Sequence, residues 1–205
     1  MSEHDTTTEK SILEAAEQLF MTKGFASTRT TEIARLAGVN HAMLHYYFRT
    51  KENLFNKVFE EKICRLAESF ISAFEQELTL EEKVRRAIGW HFDFLVANPK
   101  LPMFILREIL SDEERKAHAK KLFQPQIIKL LGNVQDAIDE EVRRGNIRWH
   151  SAIHVLLNAV SLNVFAIVAM QLLSDSANTI TGDMDAFLTE RRENNIRLIL
   201  NSLKI

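Results

Sequence analysis

Apolar residues recur at helical spacing in one segment of this chain after another, which predicts an all-α protein. The first stripe is Ile12, Ala15, Ala16, Leu19 and Phe20, with Thr6 and Glu9 as a possible capping box ahead of it and Lys23-Gly24 closing it. A second, shorter helix carries Ile33, Ala34, Leu36 and Ala37. The hydroxyls of Thr30 and Thr31 are expected to cap its start, and Gly38 supplies the left-handed turn at its end. Asn40 restarts the helix. Leu44 and Phe48 then share an inward face with Val39, leaving His41, Ala42, Met43, His45, Tyr46 and Tyr47 more or less outward. Thr50 and Asn53 precede a fourth helix over about 51–77, with Leu54, Phe55, Val58, Phe59, Ile63, Leu66, Ala67 and Phe70 as its apolar run.

The remainder reads as a larger helical body. Thr79 and Glu82 form a capping box ahead of a helix that points Val84, Ile88, His91 and Leu95 inward, and Asn98-Pro99 ends it. A short apolar helix follows from about Met103 to Leu110, then a break at Ser111-Asp112. The next helix contains Pro125, which is expected to kink it or to open a new first turn. It ends at Arg143-Arg144-Gly145, with cations in the last turn and glycine after them. Residues Ala152 to Leu173 are apolar on nearly every face and long enough to span a membrane. His154, Asn158, Asn163 and Gln171 interrupt that surface, so a buried helix is the simpler expectation. A last helix covers Met184 to Leu203.

Two short helices joined by a glycine turn, the second presenting histidines and tyrosines rather than an apolar face, form a helix-turn-helix pattern. The formal charge of −2 changes its meaning once divided along the chain. Residues 24–51 hold Arg29, Arg35, Arg49 and Lys51 against Glu32 alone, a local +3. Phosphate attraction acts over roughly 8 Å at physiological salt, so this local face outweighs acidic residues elsewhere. The single cysteine, Cys64, has no internal partner and suits a reducing compartment. The polar, acidic start MSEHDTTTEK lacks the apolar core of a signal peptide, and a cytoplasmic location is expected.

From about Ile12 to Leu54, the order, spacing and residue types of AAEQLFMTKGFASTRTTEIARLAGVNHAMLHYYFRTKENLF resemble the tetracycline-repressor (TetR) family of bacterial transcriptional regulators. Over the rest of the chain the resemblance is one of helical architecture. Departures are His45, where the family usually has tyrosine, and Asn40 and Ala42, where serine and glycine are common. The resemblance implies an N-terminal three-helix DNA-binding head, residues 1–50, and a helical effector-binding and dimerisation body, residues 51–205. Arg29, Thr30 and Lys51 would meet phosphate, with Lys51 at a helix start where backbone amides also point outward. Arg29 has a groove as its alternative. Tyr46 and Tyr47 would bond phosphates and touch thymine methyls, one of them partly core. Asn40, His41, Met43 and His45 are candidates for base edges, and Ala42 allows close approach. The expected partners are double-stranded DNA, an unknown small-molecule effector, and a second copy joined through the two C-terminal helices, with no membrane and no cofactor.

Trp90, His91, Phe94, Phe104, Arg107, Glu108, Phe123, Asn158 and Phe165 mix aromatic surface with a few polar groups and are candidates for the effector pocket, with pairing to neighbours as the alternative for Arg107 and Glu108. His41/His45 and His150/His154 each have the i, i+4 spacing of a metal pair, but no third ligand or metal motif accompanies them. Three functions remain: a ligand-responsive repressor, an effector-independent regulator or activator, and a helical metalloenzyme. The third lacks a phosphate loop, a nucleophile elbow and a metal-spaced cluster, so no enzyme is expected.

Overall fold

The computed structural model describes residues 3–111, 113–172 and 182–204. Among them are nine α-helices and no strand: α1 (Glu3–Ser27), α2 (Thr30–Leu36), α3 (His41–Phe48), α4 (Lys51–Glu75), α5 (Leu80–Ala97), α6 (Leu101–Ser111), α7 (Glu113–Arg143), α8 (Ala152–Leu172) and α9 (Met184–Leu203). They pack as two compact units, Met1–Cys64 with Met103–Lys120, and Arg65–Pro102 with Lys121–Ile205. Thr6 is not the first cap, because α1 already begins at Glu3. Gly24, at φ 79°, breaks the helical path near the α1 end, as the Lys23-Gly24 pair predicts. The side chain of Thr6, Asp112 in the expected break, and Leu173 lie outside the described residues.

The first unit is centred on aromatic rings. Phe20, Phe25, Phe55, Phe59 and Phe104 meet at centroid separations of 5.1 to 6.1 Å, mostly edge-on or tilted, as ring quadrupoles favour. Ile12, Ala16, Ile33, Leu44 and Leu54 close the core around them, all buried. An eight-residue helix such as α3 is not stable alone, so its hold on this core through Leu44 and Phe48 sets its position.

The second unit packs α5, α8 and α9 against one another, with the later part of α7 over the apolar side of α5. The Thr79–Glu82 box is present: the Thr79 hydroxyl accepts from Glu82 N–H at 3.3 Å, and the Glu82 carboxylate accepts from Thr79 N–H at 2.9 Å. The Thr79 hydroxyl also donates to the Glu82 carboxylate at 2.8 Å, and that bond first and the Thr79 amide second hold the Glu82 carboxyl below its ordinary range. Pro125 does not open a new helix, since residues on both sides belong to α7. Leu130, Val134 and Ile138 bury the turns that follow, which compensates for the one hydrogen bond that proline removes. Gly145, at φ 77°, ends the path after Arg144.

The expectation that α8 is buried is corrected. Only Ala152, Ala159, Asn163, Ala166 and Ile167 are fully covered, while Ile153, Leu157, Phe165 and Leu172 stand open, Phe165 at 71%. The helix is apolar on a second side that none of the described residues covers. It has the length and composition of a membrane span, as many core helices do.

A buried polar relay ties α5, α8 and α9 together. Asn163 Nδ2 donates to Ile88 O and to His91 Nδ1, both at 3.0 Å, and Asn195 Nδ2 donates to Asn163 Oδ1 at 2.9 Å. The bond to His91 Nδ1 needs an unprotonated nitrogen, and burial lowers the His91 pKa from 6.5 to about 4. An unfolded chain takes up that proton near 6.5 and the folded one only near 4, so stability falls as pH drops through this window. Urea denaturation between pH 7 and 4 is expected to show a loss of about 3 kcal/mol from this group. His91→Gln, which keeps an acceptor for Asn163, is expected to flatten that slope.

Candidate nucleic-acid interface

α2 starts differently from the sequence expectation. Thr30 is its first helical residue, and the preceding amide, Arg29 N–H, is accepted by the Glu32 carboxylate at 3.3 Å rather than by a threonine hydroxyl. Lys23 Nζ donates to Glu32 at 2.8 Å. The Lys23 bond first and the Arg29 amide second hold the Glu32 carboxyl below its ordinary range. The Thr30 hydroxyl instead lies 2.9 Å from His41 Nε2, linking the starts of α2 and α3.

Gly38 turns the chain at φ 69°. A Cβ there would meet nothing within 4 Å, so the backbone conformation, not space, is what favours glycine. Asn40 caps α3 as predicted, its side chain accepting from Met43 N–H at 2.8 Å. Leu44 and Phe48 point inward, and Val39 is half-buried. His41, Ala42, His45 and Tyr46 are exposed, Tyr46 at 79%, while Met43 and Tyr47 are half-buried. The two tyrosine rings meet edge-on at 5.3 Å. Arg29, Arg35 and Arg49 are exposed in the same stretch of chain. The Thr50 hydroxyl caps α4 by accepting from Asn53 N–H at 3.1 Å.

Lys51 is tied inward. Its ammonium donates to Phe25 O at 2.9 Å and Thr28 O at 3.0 Å, and sits 4.2 Å from the Phe25 ring centre. A cation on carbonyls left open at the end of α1 is favoured by charge and by hydrogen bonding alike.

Sequence reasoning missed the other side of Phe25. The Arg115 guanidinium lies 4.3 Å from the same ring, so two cations bracket it. Buried Glu108 accepts from Phe25 N–H and from Arg107 Nε, each at 3.2 Å, and lies 3.6 Å from Arg115 Nε. Nothing local in the sequence joins residue 25 to residues 108 and 115; only the spacing of Arg107, Glu108 and Arg115 along the α6–α7 stretch hinted at a charged group there.

The effector-pocket candidates are dispersed. Trp90 and Phe94 stack at 4.9 Å and 13° beside Arg65, Arg86 and Arg192, in an open groove of about 750 Å³ within the second unit. A Cβ at Gly89 would fall 2.3 Å from Arg192 Nη2, so glycine there lets that guanidinium lie against α5. Asp93 and Glu193 hold Arg192 at 2.8 and 2.7 Å, and the Asp93 bond chiefly raises its pKa. His91 belongs to the buried relay. Phe104 packs among the rings of the first unit, and Arg107 donates to Phe20 O at 3.0 Å and lies against Gly24. Phe123 is half-buried, whereas Asn158 and Phe165 are exposed on α8. Among the described residues, no three His, Cys, Asp or Glu side chains are grouped to hold a metal ion.

A capped, outward-facing third helix on a trihelical core, with arginines around it, defines a helix-turn-helix DNA-binding protein. Residues 12–58 match the family model described as bacterial regulatory proteins, tetR family. The chain is 26% identical over 140 residues to the fatty acid metabolism regulator protein of Bacillus subtilis (strain 168), covering 67% of this chain and 69% of that protein. It is 33% identical over 119 residues to the transcriptional repressor NicS of Pseudomonas putida, covering 56% and 52%. The fold also matches that of FadR from Bacillus subtilis in complex with stearoyl-CoA, with TM-score 0.66, 19% identity, and 91% and 97% of the two chains covered. The amino-terminal segment thus carries the DNA-binding signature of the TetR family, and the relatives it matches are transcriptional regulators rather than enzymes.

Lys51→Ala is expected to lower the stability of the DNA-free protein by about 2 kcal/mol, because two charge-assisted bonds to the α1 terminus are lost. A thermal melt without DNA checks it.

Proposed function

We propose that the protein is a dimeric repressor that binds a palindromic operator and is released by a small-molecule effector. The observation that carries the reading is α3 itself: capped by Asn40 and anchored by Leu44 and Phe48, it leaves His41, Ala42, His45 and Tyr46 free for a groove. In this reading residues 1–50 are the DNA-reading part and 51–205 the effector-binding and dimerising part, a division by role. Asn40, His41, Met43 and His45 read base edges, and Ala42 lets the helix approach. Tyr46 and Tyr47 touch phosphates and thymine methyls. Arg29, Thr30 and the α4 amides at Lys51 fix the register on the backbone. Operator binding places the protein in the cytoplasm.

The dimer reading rests on the open side of α8 and α9. Ile153, Leu157, Phe165 and Leu198 are apolar side chains that stand open among the described residues, and a twofold partner offering the same helices buries them. Two heads on one axis read half-sites roughly one helical turn or more apart.

For the effector, the second unit offers the Trp90–Phe94 groove. The stearoyl-CoA complex of the FadR structure supports an effector with an apolar portion. The helix α4 has residues in both units, so a ligand that rearranges the second has a continuous element leading to the first.

Selection of bound sequences from random duplex DNA is expected to return one inverted repeat, with affinity that falls steeply with salt. Tyr46→Ala should weaken binding about tenfold, a loss of roughly 1.4 kcal/mol. The double variant Leu157→Glu, Phe165→Glu is expected to sediment as a folded monomer and to lose the repeat. A melting-point screen of apolar small molecules, acyl thioesters included, should find a compound that raises the melting point and releases the DNA. Release by no compound would favour an effector-independent regulator.

A further inference from the structure

The ring of His45 is held in one tautomer by its own helix terminus. His45 Nδ1 lies 2.8 Å from Arg49 O, while Arg49 N–H donates back to His45 O at 3.0 Å, so the two residues are bonded in both directions. A carbonyl oxygen only accepts, so Nδ1 carries the hydrogen, and in the neutral ring Nε2 is left as an acceptor. The carbonyl is in position because Arg49 adopts φ 61°, the only positive φ outside glycine among the described residues. The edge of the His41 ring, 4.5 Å away at 87°, limits rotation from the other side, and His41 is itself held by Thr30. His45 is exposed, and the bond to Arg49 leaves Nε2 as its free polar atom.

In the major groove, adenine N6 and cytosine N4 present donors, whereas guanine O6 and N7 and thymine O4 present acceptors. We propose that His45 is a specificity-determining residue that selects an amino-bearing base, adenine or cytosine, at one position of each half-site, and that the Arg49 turn sets this choice by fixing the tautomer. The inference rests on the reading that α3 enters the major groove. A side chain free to rotate or to change tautomer at this position would offer a donor or an acceptor with equal ease. The locked ring offers one.

The test is sequence selection from random duplex DNA with the full chain and four variants, each first checked to be folded by an unchanged helical spectrum at the temperature of the selection. Wild type should enrich adenine or cytosine at one half-site position. His45→Phe should lose that enrichment at that position alone and bind the wild-type site roughly three- to tenfold more weakly, as expected for one hydrogen bond to a base. His45→Lys, a donor only, should shift the position toward guanine or thymine. Arg49→Gly retains the positive φ and should keep the base preference even where overall affinity drops. Arg49→Ile, whose branched side chain resists that φ, should relax it. Unchanged base frequencies with His45→Phe, or a wild-type preference for guanine or thymine at the affected position, would overturn the assignment while leaving operator binding intact. Failure of the wild-type chain to enrich any sequence would overturn the groove reading and this inference together.

Discussion

A helix of eight residues cannot hold its own shape in water, and the capacity of this protein to read DNA depends on holding one in place. Two buried side chains, Leu44 and Phe48, hold its inner face. Asn40 closes its start, Arg49 its end, and the His41–Thr30 bond ties it to the preceding helix. The outer face therefore remains polar without being loose, since each exposed ring has a neighbour that limits its rotation. Rigid presentation lowers the ordering cost of binding, which is where a small recognition surface would otherwise lose affinity.

The local features of the fold were legible because their causes are local. Gly38, the Asn40 cap, the Thr79–Glu82 box and the Gly145 terminus are each decided by residues within one helical turn. Helix spacing gave nine elements, and family resemblance gave the register of the third. The failures have a common cause. Thr30 looks like a cap until the competing Glu32 carboxylate is considered, and the position of Lys51 at a helix start gives no sign that its ammonium lies on the Phe25 and Thr28 carbonyls. Glu108 and Arg115 lie some eighty to ninety residues from Phe25 in sequence, a separation across which spacing carries no signal. Among the pocket candidates, aromatic character marked Trp90 and Phe94 but equally marked Phe104, which is core.

The second unit joins two kinds of packing on the same helices. On their inner side α8 and α9 meet α5 through the His91, Asn163 and Asn195 relay, whose bonds are directional and fix one axial alignment. On their outer side they carry aliphatic and aromatic groups that tolerate many arrangements. The polar relay thus supplies the geometric definition that an apolar surface alone would lack. This explains why α8 reads as apolar all round while still containing a fully buried asparagine.

The pairing of Phe25 with Arg115 and Glu108 bears on how the chain emerges during synthesis. A ribosome releases the first fifty residues well before the side chains that bracket this ring exist. Until about residue 115 has cleared the exit tunnel, the end of α1 lacks one of its two cations and the acceptor for its Phe25 amide. The nascent head therefore waits, incompletely closed, for a later stretch of its own polypeptide.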